Sequence, residues 1–207
     1  MLTPAQAESL AGAVTKKRFK RGEFLVERGK NCESLFIILA GRARVVVTDR
    51  RDREVILATM HAGDYVGEMS LIDQEPHSAS VEAEVQTDAL VLEGAEFTRC
   101  LLEKTSTVSA VMRGLVQRLR SADRKIESLA LMNVYGRVAN VLMEAAPADE
   151  NNVRIIRDKI SRQDIAKMVG ASREMVSRVM KDFEEQGFVE TREDGSLLIK
   201  DRRLKPR

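Results

Sequence analysis

Six short apolar runs, each bounded by glycine or charged and polar turn residues, occupy the first half of the chain: GEFLVERG (22–29), SLFIILAG (34–41), RARVVVTD (42–49), EVILATMHAG (54–63), SASVEAEV (78–85) and DALVLEG (88–94). Strands at such short, regular spacing predict an antiparallel barrel or sandwich. The unbroken stretch Phe36-Ile37-Ile38-Leu39 predicts burial inside it. From about Glu96 to Ala146 the period changes, and the pattern predicts one long helix. Met112, Leu119, Ile126 and Asn133 recur at one heptad position, and Val108, Leu115, Ala122 and Leu129 at the other. That seam, flanked by Arg113, Arg118, Arg120 and Arg124, predicts a parallel two-stranded coiled coil with Asn133 as its register device. The predicted dimer interface is Val108, Met112, Leu115, Leu119, Ala122, Ile126 and Leu129. Its alternative is a single helix lying on its own β-domain.

Residues 161–187, SRQDIAKMVGASREMVSRVMKDFEEQG, read as two short helices joined by a tight turn. Ser161 with Asp164 is a capping-box start, Gly170 permits the turn, and Ser172 caps the second helix. Val176, Val179, Met180 and Phe183 form the buried stripe of that helix, and Gly187 fits the position that ends it. Ser172, Arg173, Glu174, Ser177, Arg178 and Lys181 form its outer face, near its N-terminal turns. In a helix-turn-helix those turns enter the major groove, where arginine suits guanine O6 and N7 and glutamate accepts from the cytosine amino group. The alternative is an ordinary helical hairpin with a solvated charged face. Residues 188–199, FVETREDGSLLI, favour the first reading: Asp194-Gly195 between two apolar runs is a hairpin signal, which makes the whole a winged helix-turn-helix.

Composition narrows the function. The 207 residues fit two small domains, and no run of eighteen apolar residues or signal-peptide pattern is present, so the expectation is a soluble, cytoplasmic protein with no membrane partner. Net charge is only +2, so DNA affinity has to come from where the basic side chains sit. The basic tail DRRLKPR (201–207) reads as a frayed, solvated end, with contact to phosphates as its alternative. Two cysteines, Cys32 and Cys100, are too few for an iron–sulfur cluster or a structural zinc site, and reduced thiols are expected. Two histidines, His61 and His77, offer neither a catalytic setting nor convincing haem ligands, so the chain is not read as an enzyme and no metal is expected.

Between the fourth and fifth strands lies GDYVGEMSLIDQEPHSAS (63–80), in which Gly67-Glu68 opens a helical turn. A glycine-led helix start is a natural anion cradle, although a plain β-crossover gives the same pattern. Here the whole chain resembles the CRP/FNR family of bacterial transcription regulators. Gly67-Glu68-Met69-Ser70-Leu71 with His77-Ser78-Ala79 resembles the family's phosphate-binding cassette. Leu129-Ala130-Leu131 through Gly136-Arg137-Val138-Ala139 resembles the end of its dimer helix, its hinge and the next helix. Ser172-Arg173-Glu174-Met175-Val176-Ser177-Arg178 is similar to its recognition helix. The resemblance implies an α+β protein in three parts: a cyclic-nucleotide-binding-type β-roll (1–105), a dimerisation helix and hinge (106–136), and a winged helix-turn-helix (137–207). It implies a homodimer on palindromic promoters and contact with RNA polymerase. Arg173, Glu174 and Arg178 match the family triad for TGTGA-type half-sites, hence a TGTGA-N6-TCACA-like palindrome; Glu174, Ser177 and Arg178 also match the set used for TTGAT-type sites.

Two departures bear on the ligand. Family members that bind cyclic AMP place an arginine before the cassette serine, where this chain has His77, and their adenine-contacting Thr-Ser pair aligns with Ala122-Asp123. A mostly neutral histidine offers no bidentate fork. Each lost contact costs on the order of a few kcal/mol, together several powers of ten in affinity. Cyclic AMP is therefore disfavoured. The resemblance leaves Glu68 to hold a ribose 2′-hydroxyl. Asp123 matches the adjacent N–H donors of guanine, and Arg120 and Arg124, one turn apart, match phosphates or a stacked purine. The expected ligand set is Gly67, Glu68, Met69, Ser70, His77, Ser78, Ala79, Arg120, Asp123 and Arg124, with cyclic di-GMP as the favoured ligand. Two alternatives stay open: a ligand-independent DNA-binding regulator, and a cyclic-nucleotide-binding module acting on a partner protein.

Overall fold

The computed structural model describes residues 14–200 except 32, 148, 150–152, 158 and 159. Cys32 and the tail 201–207 lie outside the described residues. The chain forms two compact units, Met1–Ser121 and Ala122–Arg207. In chain order the first contains β1 (Val14–Phe19), β2 (Phe24–Val26), β3 (Ser34–Ala40), β4 (Ala43–Thr48), β5 (Glu54–Met60), β6 (Tyr65–Val66), α1 (Glu68–Asp73), β7 (Ser80–Ala83), β8 (Thr87–Glu93) and α2 (Gly94–Glu103). Helix α3 (Thr105–Leu131) begins in the first unit and ends in the second. The second adds α4 (Val134–Ala145), β9 (Arg154–Ile156), α5 (Arg162–Val169), α6 (Arg173–Glu185), β10 (Val189–Thr191) and β11 (Leu197–Ile199).

Eight strands form two antiparallel four-stranded sheets, ordered β1-β8-β3-β6 and β2-β7-β4-β5. The six predicted runs contain β2, β3, β4, β5 and β7, and all of β8 except Thr87. Strand β3 shows why its sequence is apolar without alternation. Phe36 and Ile38 pack into the core between the sheets, while Leu35 and Ile37 join a second core with Leu92, Phe97 and Val111. Leu39 departs from the expectation of burial: the pairing register with β8 shifts between Ile38 and Ala40, and Leu39 is left 42% exposed. Strand β1 was not legible as an apolar run, because only Phe19 of its six residues is buried. It pairs with β8 alone, and its charges are held by Asp88, 3.1 Å from Lys16 Nζ and 2.7 Å from Arg18 Nε. Charged edge strands resist pairing with other chains.

The single long helix predicted from Glu96 to Ala146 is three helices. Lys104 takes extended backbone (φ −131°) between α2 and α3. Asn133 lies between α3 and α4, and its Oδ1 accepts the Gly136 N–H at 3.0 Å. Asn133 is thus the N-cap of α4 and not a seam residue, since its short amide satisfies a helix-start N–H that would otherwise be orphaned. Along α3, Leu115 packs against the β-roll core and Val108 is half-buried. The predicted seam residue Leu129 is 58% exposed, and an exposed stripe runs through Met112 (61%), Val116 (49%), Leu119 (62%) and Ile126 (64%). With Asp123 the stripe residues alternate four and three apart along the helix.

The second unit closes on one core, in which Val138 and Leu142 of α4 meet Ile165 of α5, Val176 and Phe183 of α6, and Ile199 of the antiparallel sheet β10-β11-β9. The Phe183 and Phe188 rings meet edge-on at 4.9 Å.

Gly114 lies in the middle of α3 against Tyr65. A Cβ there would stand 2.0 Å from Tyr65 Oη and 2.9 Å from Cζ. On an open helix face glycine to alanine gains about 1 kcal/mol. At Gly114 the clash reverses the sign, and chemical denaturation of Gly114→Ala is expected to show a loss on the order of 1–3 kcal/mol. Adding Tyr65→Phe removes the nearest atom and should recover part of that loss. A Gly114→Ala protein at least as stable as the wild type would contradict this account.

Candidate functional site

The cassette begins where β6 runs into α1. Gly67 takes the left-handed conformation (φ 99°) that lets the chain turn straight into the helix. Helix α1 has only six residues, which leaves little dipole at its start. Glu68 (1% exposed) and Ser70 (7%) point inward, whereas Met69 is 47% exposed. The return segment is fixed by backbone bonds: the His77 N–H donates to Lys30 O at 3.0 Å, and His77 O accepts from Gly29 at 2.8 Å. Its ring Nδ1 lies 3.1 Å from Ser70 Oγ. Ser78 is exposed and Ala79 half-buried. Cassette residues 67–70 and 77–79 are therefore brought together in the first unit.

The partner of Glu68 is Arg118, on α3. One guanidinium nitrogen donates to Glu68 Oε1 and another to the Tyr65 carbonyl. The guanidinium carbon stands 5.0 Å from the centroid of the Tyr65 ring. Tyr65 Oη in turn donates to Val111 O at 3.2 Å. Burial pushes the Glu68 pKa above its ordinary value, with the Arg118 charge opposing. Its second oxygen, Oε2, is buried without a hydrogen-bond partner. Burial likewise pushes the His77 ring below its ordinary value. Sequence reasoning placed Arg118 only as a flank of the seam. Its signal was Gly114, a mid-helix glycine one turn earlier on the same face, where a helix pays for close approach. Arg120, Asp123 and Arg124 are exposed on α3.

In the second unit Ser161 Oγ accepts the Asp164 N–H at 3.0 Å, and Ser172 Oγ accepts that of Met175 at 3.2 Å, so both predicted caps are made. Gly170, in the left-handed conformation (φ 64°), turns α5 into α6. Val176, Val179, Met180 and Phe183 are buried, which leaves Arg173, Glu174, Arg178 and Lys181 exposed on the opposite side, with Ser172 exposed at the cap and Ser177 half-buried. Glu174 has its pKa lowered by a backbone N–H first, then by Ser172 and Arg173, so it stays an acceptor at neutral pH. Lys181 stands 3.8 Å from Glu185 on the same helix. The wing is the β10–β11 hairpin, whose turn is closed by Asp194 Oδ1 accepting the Ser196 N–H at 2.8 Å. Arg137 of α4 spans two helix ends, donating to Met132 O just past α3 and to Val169 O at the end of α5, both at 3.0 Å.

Residues 16–104 match the cyclic nucleotide-binding domain, and residues 136–204 the Crp-like helix-turn-helix domain. The chain is 33% identical to the cAMP-activated global transcriptional regulator Vfr of Pseudomonas aeruginosa over 84% of each chain. It belongs to the CRP/FNR family. As a member it is a DNA-binding transcription regulator carrying a cyclic-nucleotide-binding domain. The cAMP-activated global transcriptional regulator CRP of Salmonella typhimurium is 29% identical over 80% of each chain. The c-di-GMP responsive global regulator CLP of Xanthomonas campestris shares the fold, with a TM-score of 0.82 at 21% identity over 97% of this chain and 100% of that one. The β-roll, long central helix and C-terminal helix-turn-helix are the family's architecture. Among the described residues no group of three or more His, Cys, Asp or Glu is arranged for a metal, and no helix is long and apolar enough to cross a membrane.

Removing Arg118 tests the buried pair. A carboxyl whose folded pKa lies above its unfolded value contributes stability that is full below the unfolded value and is lost as pH rises through the folded one. Without Arg118 that window moves up towards neutrality. Arg118→Met should therefore lose stability relative to the wild type as pH is raised from about 5 to about 8, by on the order of 2–3 kcal/mol, below the value for a fully buried pair because Arg118 is 37% exposed. Glu68→Gln in the same background should flatten the profile. A loss independent of pH would show that the two groups do not form a charged pair.

Proposed function

We propose that this protein is a cytoplasmic homodimer that reads two-fold promoter sites and answers to a nucleotide second messenger, with cyclic di-GMP favoured over cyclic AMP. The observation that carries the DNA reading is the face of α6: Arg173, Glu174 and Arg178 exposed together on a helix anchored by its opposite side. A second copy is the natural cover for the stripe of Met112, Val116, Leu119 and Ile126, and a two-fold dimer presents two recognition helices to a palindrome. RNA polymerase is the expected protein partner at such sites.

The nucleotide reading rests on Glu68. Its buried Oε2 lacks a donor, and a ribose hydroxyl supplies one. His77 in place of an arginine weighs against tight cyclic AMP binding, and Asp123, Arg120 and Arg124 on α3 suit a guanine-containing diphosphate. The fold likeness to the Xanthomonas regulator, at 21% identity, speaks for the fold alone. Cyclic AMP is the second reading, favoured by the Pseudomonas and Salmonella relatives, whose names describe them as cAMP-activated.

Calorimetry separates the two: cyclic di-GMP should bind the wild type, with Asp123→Ala and Arg124→Ala each weakening it, and cyclic AMP should bind weakly unless His77 is changed to arginine. Micromolar binding of cyclic AMP to the wild type would overturn the ligand preference. Sedimentation should show a dimer that becomes a monomer when Leu119 and Ile126 are replaced by glutamate. A wild-type monomer at micromolar concentration would contradict the dimer.

Selection from random DNA should return a TGTGA-N6-TCACA-like palindrome. Arg178→Ala should lose about 1–3 kcal/mol at one guanine and relax preference there. Arg173→Ala should relax a second position, which distinguishes TGTGA-type from TTGAT-type half-sites. A motif without two-fold symmetry, or one unchanged in both variants, would refute the assignment of α6.

A further inference from the structure

The His77 ring is held from one side only. Ser70 Oγ engages Nδ1 at 3.1 Å, and the backbone on both sides of the peptide is tied to the turn at Gly29 and Lys30. Nε2 has no partner among the described residues. Burial disfavours the charged ring, and no neighbouring carboxylate compensates. The charged groups nearby along the chain are engaged elsewhere, apart from the exposed side chain of Glu75, which is not among the causes of the ring's shift. Lys30 pairs with Glu27 at 2.7 Å, Asp73 accepts the Glu75 N–H at 3.0 Å, Arg28 donates to Thr48 O at 3.3 Å, and Glu68 belongs to Arg118. The ring is thus a fixed, mostly neutral base with one free nitrogen, at the position where the resemblance to the family's cassette implies a phosphate contact.

We propose that His77 neutralises the phosphate of the bound nucleotide, and that it does so by taking up a proton from solvent as the ligand binds. The inference rests on the nucleotide reading above. A phosphodiester is anionic throughout the neutral range, so a neutral imidazole offers it at most one donated hydrogen bond, while an imidazolium adds a full charge. The anion in return favours the protonated ring, and binding and protonation become linked. Affinity is highest below the pKa of the free ring. It falls with rising pH, by at most about tenfold per pH unit, through the window between the free and liganded values, and then levels off. The cassette therefore reports nucleotide and acidity together, which a permanently charged arginine at this position does not do.

Calorimetric titration of the full-length protein with cyclic di-GMP and with cyclic AMP, at pH 7 in PIPES, HEPES and Tris, reads the proton directly. The expected result is a binding heat that varies with the ionisation heat of the buffer, corresponding to uptake of a fraction of a proton per site. Affinity should fall between pH 6 and pH 8. In His77→Arg and His77→Asn the buffer dependence should vanish, with the arginine variant binding more tightly at pH 8. With only two histidines in the chain, the ring resonances of the wild type give a second readout that needs no variant: the His77 pKa should rise on adding nucleotide. A nucleotide that binds with buffer-independent heat, or an uptake that survives in His77→Asn, would overturn the proton coupling and leave the nucleotide reading standing. Binding of neither nucleotide would overturn both.

Discussion

A carboxylate with 1% of its surface exposed has lost its water, and such a charge is tolerated only where an opposite charge and donors replace the solvent. Glu68 has that replacement on one side alone. Arg118 reaches it from α3, binds the Tyr65 carbonyl with the same guanidinium, and lies against the Tyr65 ring. Tyr65 can stand there because Gly114, one turn before Arg118, has no side chain to meet it. Cassette, strand β6 and the first half of α3 are therefore held to one another by the half-buried Glu68–Arg118 pair, the Tyr65–Val111 hydrogen bond and apolar packing around Tyr65, with Gly114 leaving room for the ring. On the nucleotide reading proposed above, a hydroxyl donor arriving at the unsatisfied Oε2 would complete the hydrogen bonding of a group that also holds Arg118.

The DNA-reading unit is built on a different principle. Its central feature is a helix whose two sides are separated by packing. Val176, Val179 and Phe183 have no freedom to leave the core, so Arg173, Glu174 and Arg178 have no freedom to enter it. Ser172 supplies the cap that starts the helix and, after a backbone N–H as the larger cause, lowers the Glu174 pKa. Arg137 adds a tie between the end of α3 and the turn after α5, because its fork reaches carbonyls that helix ends leave without partners.

The recognition helix was legible in the sequence because everything that specifies it is local: Ser161 and Asp164 at one start, Gly170 at the turn, Ser172 at the next start. The strands were legible where apolar runs carry them, and β1 was not, since its surroundings require charge rather than apolarity. The long helix was misjudged for a physical reason. Apolar periodicity continues across Lys104 and Asn133, and asparagine fits both a seam position and a cap; only backbone geometry distinguishes them. The seam itself turned on which of two adjacent apolar residues the β-roll covers. It covers Leu115 and leaves Val116 exposed. The Glu68–Arg118 pair joins positions fifty residues apart, beyond any period, and Gly114 was its only local trace.

On the proposed function, occupation of the Glu68 cassette and reading of a two-fold site by α6 are coupled in one molecule. Fluorescence anisotropy of a labelled TGTGA-N6-TCACA duplex, titrated with the protein in the presence and absence of cyclic di-GMP and compared with a scrambled duplex, measures that coupling. The account predicts a preference for the palindrome of at least about a thousandfold in one of the two ligand states. It also predicts that the nucleotide changes palindrome affinity by about five- to a hundredfold while leaving the scrambled duplex nearly unaffected. Equal affinity for the two duplexes, or a palindrome affinity indifferent to saturating cyclic di-GMP and to cyclic AMP alike, would contradict it.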